Sequence, residues 1–377
     1  MDKNKFKDRK TFPGTEGGPF DIIVKVWDWI EKIPLPVFLA FLLFLSWLAG
    51  LRDNRAAILM GSVFLIDYML MSGLGMFQIS YGPAKPPAVM LAALRLPFLV
   101  FPFEWNLVFQ VFGTFLVIYG FWIEPQQLVS ASQRLLVPGF IPGRPLRLLH
   151  LGDLHFERKT RREERVLELI DKLKPDIIVF SGDFLSYSYT YDQKAWSELN
   201  RYLGEISAPL GVFCVSGSPP VDPEPVLDAI LHDTPFIRLQ NEHRKIRFEG
   251  EAFDLIGVSC SHNPDQDRTL LQDAIKGSES VLKILLYHSP DLAPDAAQSS
   301  VTLQLSGHTH GGQVRLPLFG ALYAASLYGK RFESGRYTLG EMTLYVTRGL
   351  GLEGKGAPRV RFLCPPEIVL WEIDGSA

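Results

Sequence analysis

Every long apolar run of this 377-residue chain lies before about residue 125, and all eight histidines fall at residue 150 or later. The separation imposes two folding environments on one chain. Apolar runs near bilayer length call for helices that face lipid, whereas short apolar runs alternating with amphipathic stretches call for a water-soluble α/β domain. The hydrophobic fraction of 47% and the mean hydropathy of +0.10 are high for a soluble protein, and the surplus is confined to the first third. A net charge of -3 gives no reason to expect nucleic-acid binding. Cys214, Cys260 and Cys364 are odd in number and far apart, which argues against a disulfide framework or a zinc-cysteine site.

The chain divides into four segments by composition. Residues 1–35 comprise a polar tail and an interfacial helix, in which Phe20, Ile23, Trp27 and Ile30 recur at helical spacing until Pro34 and Pro36 end the pattern. Residues 36–125 hold three or four transmembrane helices: Val37 to Leu51, Ala56 to Ile79 and Trp105 to Ile123, with Ala88 to Phe103 as a kinked crossing or an interfacial segment. Asp67 and Arg95 are costly in hydrocarbon and are expected to pair or snorkel. Residues 126–144 form a linker, and 145–377 the second domain. Basic residues near the first span place the amino terminus in the cytoplasm. Four crossings then leave a multi-pass membrane protein whose carboxyl-terminal domain is cytoplasmic, as Arg134, Arg144, Arg147 and the unpaired cysteines suit.

In the second part, strands are expected at Leu146 to Leu151, Ile177 to Phe180, Val212 to Val215, Phe253 to Val258, Leu282 to Tyr287 and Val301 to Leu305. Helices fall at Arg161 to Leu173, Asp192 to Ile206 and around Val226 to Leu231. Two facing sheets with helices outside accommodate this order. The strand ends carry the chemistry. Leu305-Ser-Gly-His-Thr-His-Gly-Gly312 leaves a strand at Gly307 and presents His308 and His310. Asp153 and His155 close the first strand, Asp183 the second, and His288 a later one. Two carboxylates and four imidazoles suffice for one or two cations sharing a carboxylate, and mixed oxygen and nitrogen donors favour manganese, iron or zinc. Such a pair suits displacement at phosphorus by metal-activated water.

The ordered set resembles the calcineurin-like metallophosphoesterase superfamily, whose pattern is D-x-H, G-D, G-N-H-[DE], H and G-H-x-H. The resemblance covers roughly residues 145 to 377. It is nearest to the bacterial membrane-associated branch, on Gly307-His-Thr-His-Gly-Gly-Gln-Val-Arg-Leu-Pro317 and Arg361-Phe-Leu-Cys-Pro-Pro-Glu-Ile368. It implies a four-layer α-β-β-α sandwich, here preceded by an all-α transmembrane region. It also implies that Asp153, His155 and His310 bind one metal, His288 and His308 the other, and that Asp183 bridges them. Some relatives hydrolyse the pyrophosphate of a lipid-linked sugar nucleotide.

One motif departs from the pattern. Where the family carries G-N-H-[DE], this chain reads Val215-Ser-Gly-Ser-Pro-Pro-Val-Asp222, with Ser218 for the asparagine and Pro219 for the histidine. Proline has no side-chain proton to give. Asp222, in the same loop, and His262, in Ser259-Cys-Ser-His-Asn-Pro264, are the candidate replacements. Lys355, Arg359 and Arg361 form either a phosphate-contacting loop or a solvated turn, and His150, His232 and His243 read as structural. The expected function is a membrane-anchored, metal-dependent phosphohydrolase acting on a phosphorylated small molecule or lipid-linked substrate. The alternative is a degenerate phosphoesterase that binds metal or a phosphorylated ligand without turnover.

Overall fold

The computed structural model describes residues 19–51, 53–353, 355 and 358–375; the polar tail expected over residues 1–18 lies outside them. The amino-terminal region is helical: α1 (Pro19–Lys32), α2 (Leu35–Ala49), α3 (Asn54–Met76), α4 (Lys85–Arg95) and α5 (Phe103–Ile118), the last running through short π and 3-10 turns to Gln126. Two helices, Asn54–Met76 and Phe103–Gln126, are long and apolar enough to cross a bilayer. The α1–α2 pair, bent by 104° at its break, makes a third if the two together form one span. Ala88 to Phe103 is not among these helices. There α4 has 11 residues, which at about 1.5 Å per residue reach roughly half of a hydrocarbon core, and a five-residue 3-10 helix follows it. Leu43, Phe44, Trp47, Ile58, Trp105, Phe112 and Phe115 face outward, an apolar surface of the kind found on membrane-associated helices.

The expected pairing of Asp67 with Arg95 forms at the centre of this region. Arg95 Nε and Nη2 donate to Asp67 at 2.6 and 2.7 Å, and Nη1 reaches the carbonyl and side-chain oxygens of Gln110 on α5 at 2.9 and 3.1 Å. One guanidinium thereby joins α3, α4 and α5. A side chain at Gly113 would come within 3.0 Å of it.

The remaining elements are β1 (Val129–Leu136), β2 (Leu146–Leu151), α6 (Arg161–Leu173), β3 (Ile177–Phe180), α7 (Gln193–Gly204), β4 (Val212–Cys214), α8 (Glu224–Leu231), β5 (Phe236–Arg238), β6 (Glu242–Phe248) and β7 (Glu251–Gly257). They continue through α9 (Pro264–Ala274), β8 (Lys283–Leu286), α10 (Ala293–Ala296), β9 (Leu303–Ser306), β10 (Arg315–Leu316), β11 (Gly320–Ala321), β12 (Gly335–Leu339), β13 (Met342–Val346) and β14 (Glu367–Asp374). Two six-stranded sheets form, in the orders β1-β14-β2-β3-β4-β5 and β12-β13-β9-β8-β7-β6. Leu146, Leu148, Phe253, Ile284, Leu303 and Trp371 pack between them. Helices α6 to α8 cover the outer face of the first sheet and α9 and α10 that of the second, giving the four-layer sandwich. Residues 126–144 are a linker only in part, because β1 pairs in parallel with β14 from Val129–Glu367 to Leu136–Asp374. Its exposed, polar outer residues hid the strand from a hydrophobicity reading.

Local chemistry accounts for the crossovers. Thr160 and Glu163 cap α6 reciprocally, and Val166, Leu169 and Ile170 then point into the core. Strands β2 to β5 are mutually parallel, as are β7, β8, β9 and β13. Their carboxyl ends supply the loops described next.

Removing one partner of a buried ion pair strands the other. Asp67→Ala is therefore expected to cost about 3–5 kcal/mol, read as a lower unfolding temperature of the full chain in detergent. Asp67→Leu/Arg95→Met together should recover part of the loss.

Candidate metal centre

Asp153 and His155 follow β2, Asp183 follows β3, Ser218 follows β4, His288 follows β8, and His308 and His310 follow β9. Strand ends are where open α/β sheets present ligands. The turns are sharp enough that Asp153, His155, Asp183, His308 and His310 all take positive φ, between 43° and 71°. That conformation is unfavourable for residues with a Cβ and is kept where surrounding contacts over-determine it. Here those contacts are backbone bonds: Asp153 N–H donates to Gly182 O at 2.9 Å, His155 N–H to Asp183 O at 3.1 Å, and Gly307 N–H to His288 O at 2.8 Å. Gly307 and Gly349 let the chain close on Asp153. A Cβ at Gly307 would stand 2.3 Å from Asp153 Oδ2, and one at Gly349 would stand 2.6 Å from Asp153 Cβ.

All six residues expected at the site are buried and meet in two overlapping groups. Asp153, His155, Asp183 and His310 bring one donor atom each within 4.8 Å of one another, and Asp183, His288 and His308 do the same. Asp183 belongs to both. Its Oδ2 stands 3.5 Å from His155 Nε2 and 3.3 Å from His288 Nε2, while Oδ1 accepts from Ser218 N–H at 2.7 Å.

Three observations fit a cation here. Asp153 Oδ2 is buried and has no hydrogen-bond partner among the described residues. His155 Nε2 and His310 Nε2 face each other at 2.9 Å, close to the roughly 3 Å spanned by two nitrogens bound at right angles to one ion with bonds of about 2.1 Å. His288 Nδ1 lies 2.8 Å from the Ser181 carbonyl, a bond that keeps a proton on Nδ1 and leaves the inward Nε2 as the position that a cation would take in place of a second proton.

The electrostatics agree. Burial pushes the Asp153 carboxyl up to about 6. Burial also raises Asp183, but His288, His155 and the Ser218 N–H together more than offset it and hold that carboxyl at about 2. Burial opposes charge on His288, yet the carboxylates of Asp183 and Asp153 bring it up to about 9. The pair of carboxylates thus stabilises positive charge between them. His308 and His310, desolvated and facing other imidazoles, are held well below the usual histidine range, in the neutral form that binds metals.

The departing loop resolves into separate roles. Ser218 Oγ stands 3.2 Å from His288 Nε2 and 3.1 Å from His262 Nε2, and the His262 ring lies 4.5 Å from that of His308. Burial pushes the His262 imidazole down to about 3. Asp222 does not line the site as a free carboxylate. It accepts from the backbone N–H groups of Asp183, Phe184 and Gly217 at 2.9, 3.0 and 2.8 Å, fixing the loop that carries Asp183. His150 is buried against Ser181 Oγ, His243 lies 2.7 Å from the Ala274 carbonyl through Nδ1, and His232 stands beside Asp233 on the surface.

Arg359 and Arg361 do not form a phosphate loop. Arg359 is buried in an ion pair with Glu157. Arg361 donates to the carbonyls of His310, Arg348 and Gly351, because the turn that precedes β14 folds inward beneath His310. Lys355 Nζ lies over the Tyr187 ring. Glu353, 3.7 Å from His155 Nδ1, was not singled out in the sequence, since a lone acid in a glycine-rich stretch carries no spacing signal.

Residues 146–312 match the family model of the calcineurin-like phosphoesterases, so this part of the chain carries a calcineurin-like phosphoesterase domain. Among its relatives, the uncharacterized metallophosphoesterase YkuE of Bacillus subtilis is 29% identical over 68% of this chain and 90% of its own length. Phosphodiesterase YaeI of Escherichia coli is 27% identical over 61% of this chain and 82% of its own. The UDP-2,3-diacylglucosamine pyrophosphatase LpxG of Chlamydia muridarum is 25% identical over 60% and 82% respectively.

Asp222→Ala leaves three buried N–H donors without an acceptor, each worth about 1–3 kcal/mol. The variant is expected to unfold at lower temperature and to retain less metal on elemental analysis, with Asp222→Asn falling between it and the parent.

Proposed function

We propose that this phosphoesterase is a membrane-anchored, metal-dependent hydrolase that cleaves a phosphoester or pyrophosphate of a lipid-linked substrate. The observation that carries the reading is the sharing of Asp183 between two groups of buried donors. In this assignment Asp153, His155 and His310 hold one divalent ion, His288 and His308 hold the other, and Asp183 bridges. Manganese, iron or zinc suits such donors. Ions of this kind supply Lewis acidity to a phosphoryl group and a nucleophilic water near neutral pH.

The chain's own groups do the rest. The Ser181 carbonyl keeps His288 in one tautomer, and Asp222 holds the Asp183 backbone in register. Pro219 has no proton to offer the leaving oxygen, and we assign that contact to His262, which meets Ser218 Oγ at the edge of the His288–His308 group. Kept neutral by burial, His262 donates a hydrogen bond through its ring N–H instead of serving as an imidazolium. The assistance is correspondingly weaker than the 10²- to 10⁴-fold typical of general acids.

The lipid-linked substrate is supported by the apolar helices that precede the domain and by the relative whose name gives it a diacylated sugar nucleotide. With α3 and α5 as the two crossings and the α1–α2 pair bent back at the interface, the catalytic domain lies on the same face as the basic amino terminus, the cytoplasm.

With added manganese, the full chain is expected to hydrolyse a bis-aryl phosphate, and Asp183→Asn to lose both turnover and bound metal. His262→Ala should lower kcat by about tenfold while metal content is kept, less than removal of a full general acid. The Ser218-Pro219 replacement favours a second reading, a ligand-binding protein without turnover, and equal rates for the parent and Asp183→Asn would select it.

A further inference from the structure

The metal-ligand turn continues directly into a hairpin, β10–β11, whose tip is the least covered apolar surface of the catalytic domain. Leu318 is fully exposed, at 110% of its reference area, Phe319 is 56% exposed, and Leu322 and Tyr323 follow at 53% and 60%. Soluble domains seldom hold adjacent large apolar side chains out into water. The tip is held in place: Leu318 takes φ +65°, Glu333 accepts from Ala321 N–H at 2.8 Å and faces Arg315, and Lys330 Nζ lies 3.4 Å from the Phe319 ring centroid. Lys330 and Arg331 are themselves exposed, so the apolar tip has a cationic rim.

The base of the hairpin is tied to the end of the last long apolar helix. Arg315 N–H donates to Phe362 O, the Phe362 ring packs edge-on against Tyr119, and the next N–H, that of Leu363, donates to Glu124 at 2.7 Å. Ile123 beside Glu124, Leu363 and Leu316 are all exposed. Exposed apolar side chains therefore stand at both ends of this tie, Phe115, Leu116 and Ile123 on the helix side and Leu316, Leu318 and Phe319 on the hairpin.

We infer that the hairpin Arg315–Ala321 inserts Leu318 and Phe319 into the bilayer, with Lys330 and Arg331 at the level of anionic headgroups. An apolar edge with basic flanks is the combination that seats a segment about 5–10 Å into the headgroup and acyl boundary. Because the hairpin begins three residues after Gly312, its insertion holds the mouth of the metal centre at headgroup depth, where the phosphate of a lipid-linked substrate lies. The inference rests on the proposed reading of the apolar helices as membrane spans.

The test uses the full chain in nanodiscs of mixed phosphatidylcholine and phosphatidylglycerol. The three native cysteines are buried, so Leu318→Cys accepts an environment-sensitive fluorophore selectively, and Phe319→Cys serves if the first variant fails to fold. Lys276→Cys, an exposed position outside the hairpin, is the comparison. The hairpin label is expected to emit at shorter wavelength and to lose about half or more of its intensity to lipids spin-labelled in the acyl chain, and the Lys276 label to do neither. A hairpin label that reports water in chains that co-migrate with the discs overturns the inference alone, including the case in which the tip instead docks on a protein. Chains that do not enter the discs overturn the membrane reading with it.

Discussion

Burial of two carboxylates a few ångströms apart is the constraint on which the catalytic domain depends. Asp153 and Asp183 lie at the ends of adjacent parallel strands, and neither reaches water. Like charges so placed cannot both ionise without a positive partner between them. The protein supplies part of one in His288, and the inward-facing nitrogens of His155, His308 and His310 complete a shell that suits a cation better than a proton. The strained backbone at five of these six residues is consistent with that demand, since hydrogen bonds among the loops hold the donors converged whether or not an ion is bound.

What could be read from the sequence follows from where the signal is local. Leu146 to Leu151 is an apolar run ending in Asp-x-His, so strand and site residues announce each other, and the same holds for Asp183, His288, His308 and His310. Strand β1 was hidden because its outer residues are polar and its partner, β14, lies more than 230 residues away. His262 was legible only as a candidate, because nothing in Ser-Cys-Ser-His-Asn specifies that the loop folds toward His308. Asp222 is legible only as a candidate replacement, because two of the backbone donors that claim it, Asp183 and Phe184, belong to another loop. The shortness of α4 was foreshadowed by Arg95, Pro97 and Pro102, which interrupt the apolar run; periodicity alone did not decide between a crossing and a turn.

Similar reasoning explains why the charges of the first third sit where they do. Arg95 is spent on Asp67, Gln110 and Thr114, so its fork is filled by groups from two other helices and the side chain is buried. An apolar residue there would leave Asp67 and the Gln110 side chain buried without these partners. The network is best understood as the bolt of the helical region, which has few packed layers of its own.

That region is more than a tether. Glu124, fully buried at the end of the last long helix, accepts from the N–H groups of Leu363 and Cys364 at 2.7 and 2.6 Å, and Gly120 accepts from Arg361 N–H at 3.0 Å. The clasped segment then reaches the metal centre, where Cys364 Sγ and Arg361 Nη1 both meet the carbonyl of His310 at 3.2 Å. A buried carboxylate at the end of the apolar helices and a candidate ligand in the α/β domain are thus joined through a short segment of chain. Displacing the helix would strand the Glu124 side chain and loosen the carbonyl that orients His310, so the two halves share one cooperative junction and the position of a donor atom is set partly from within the helical region.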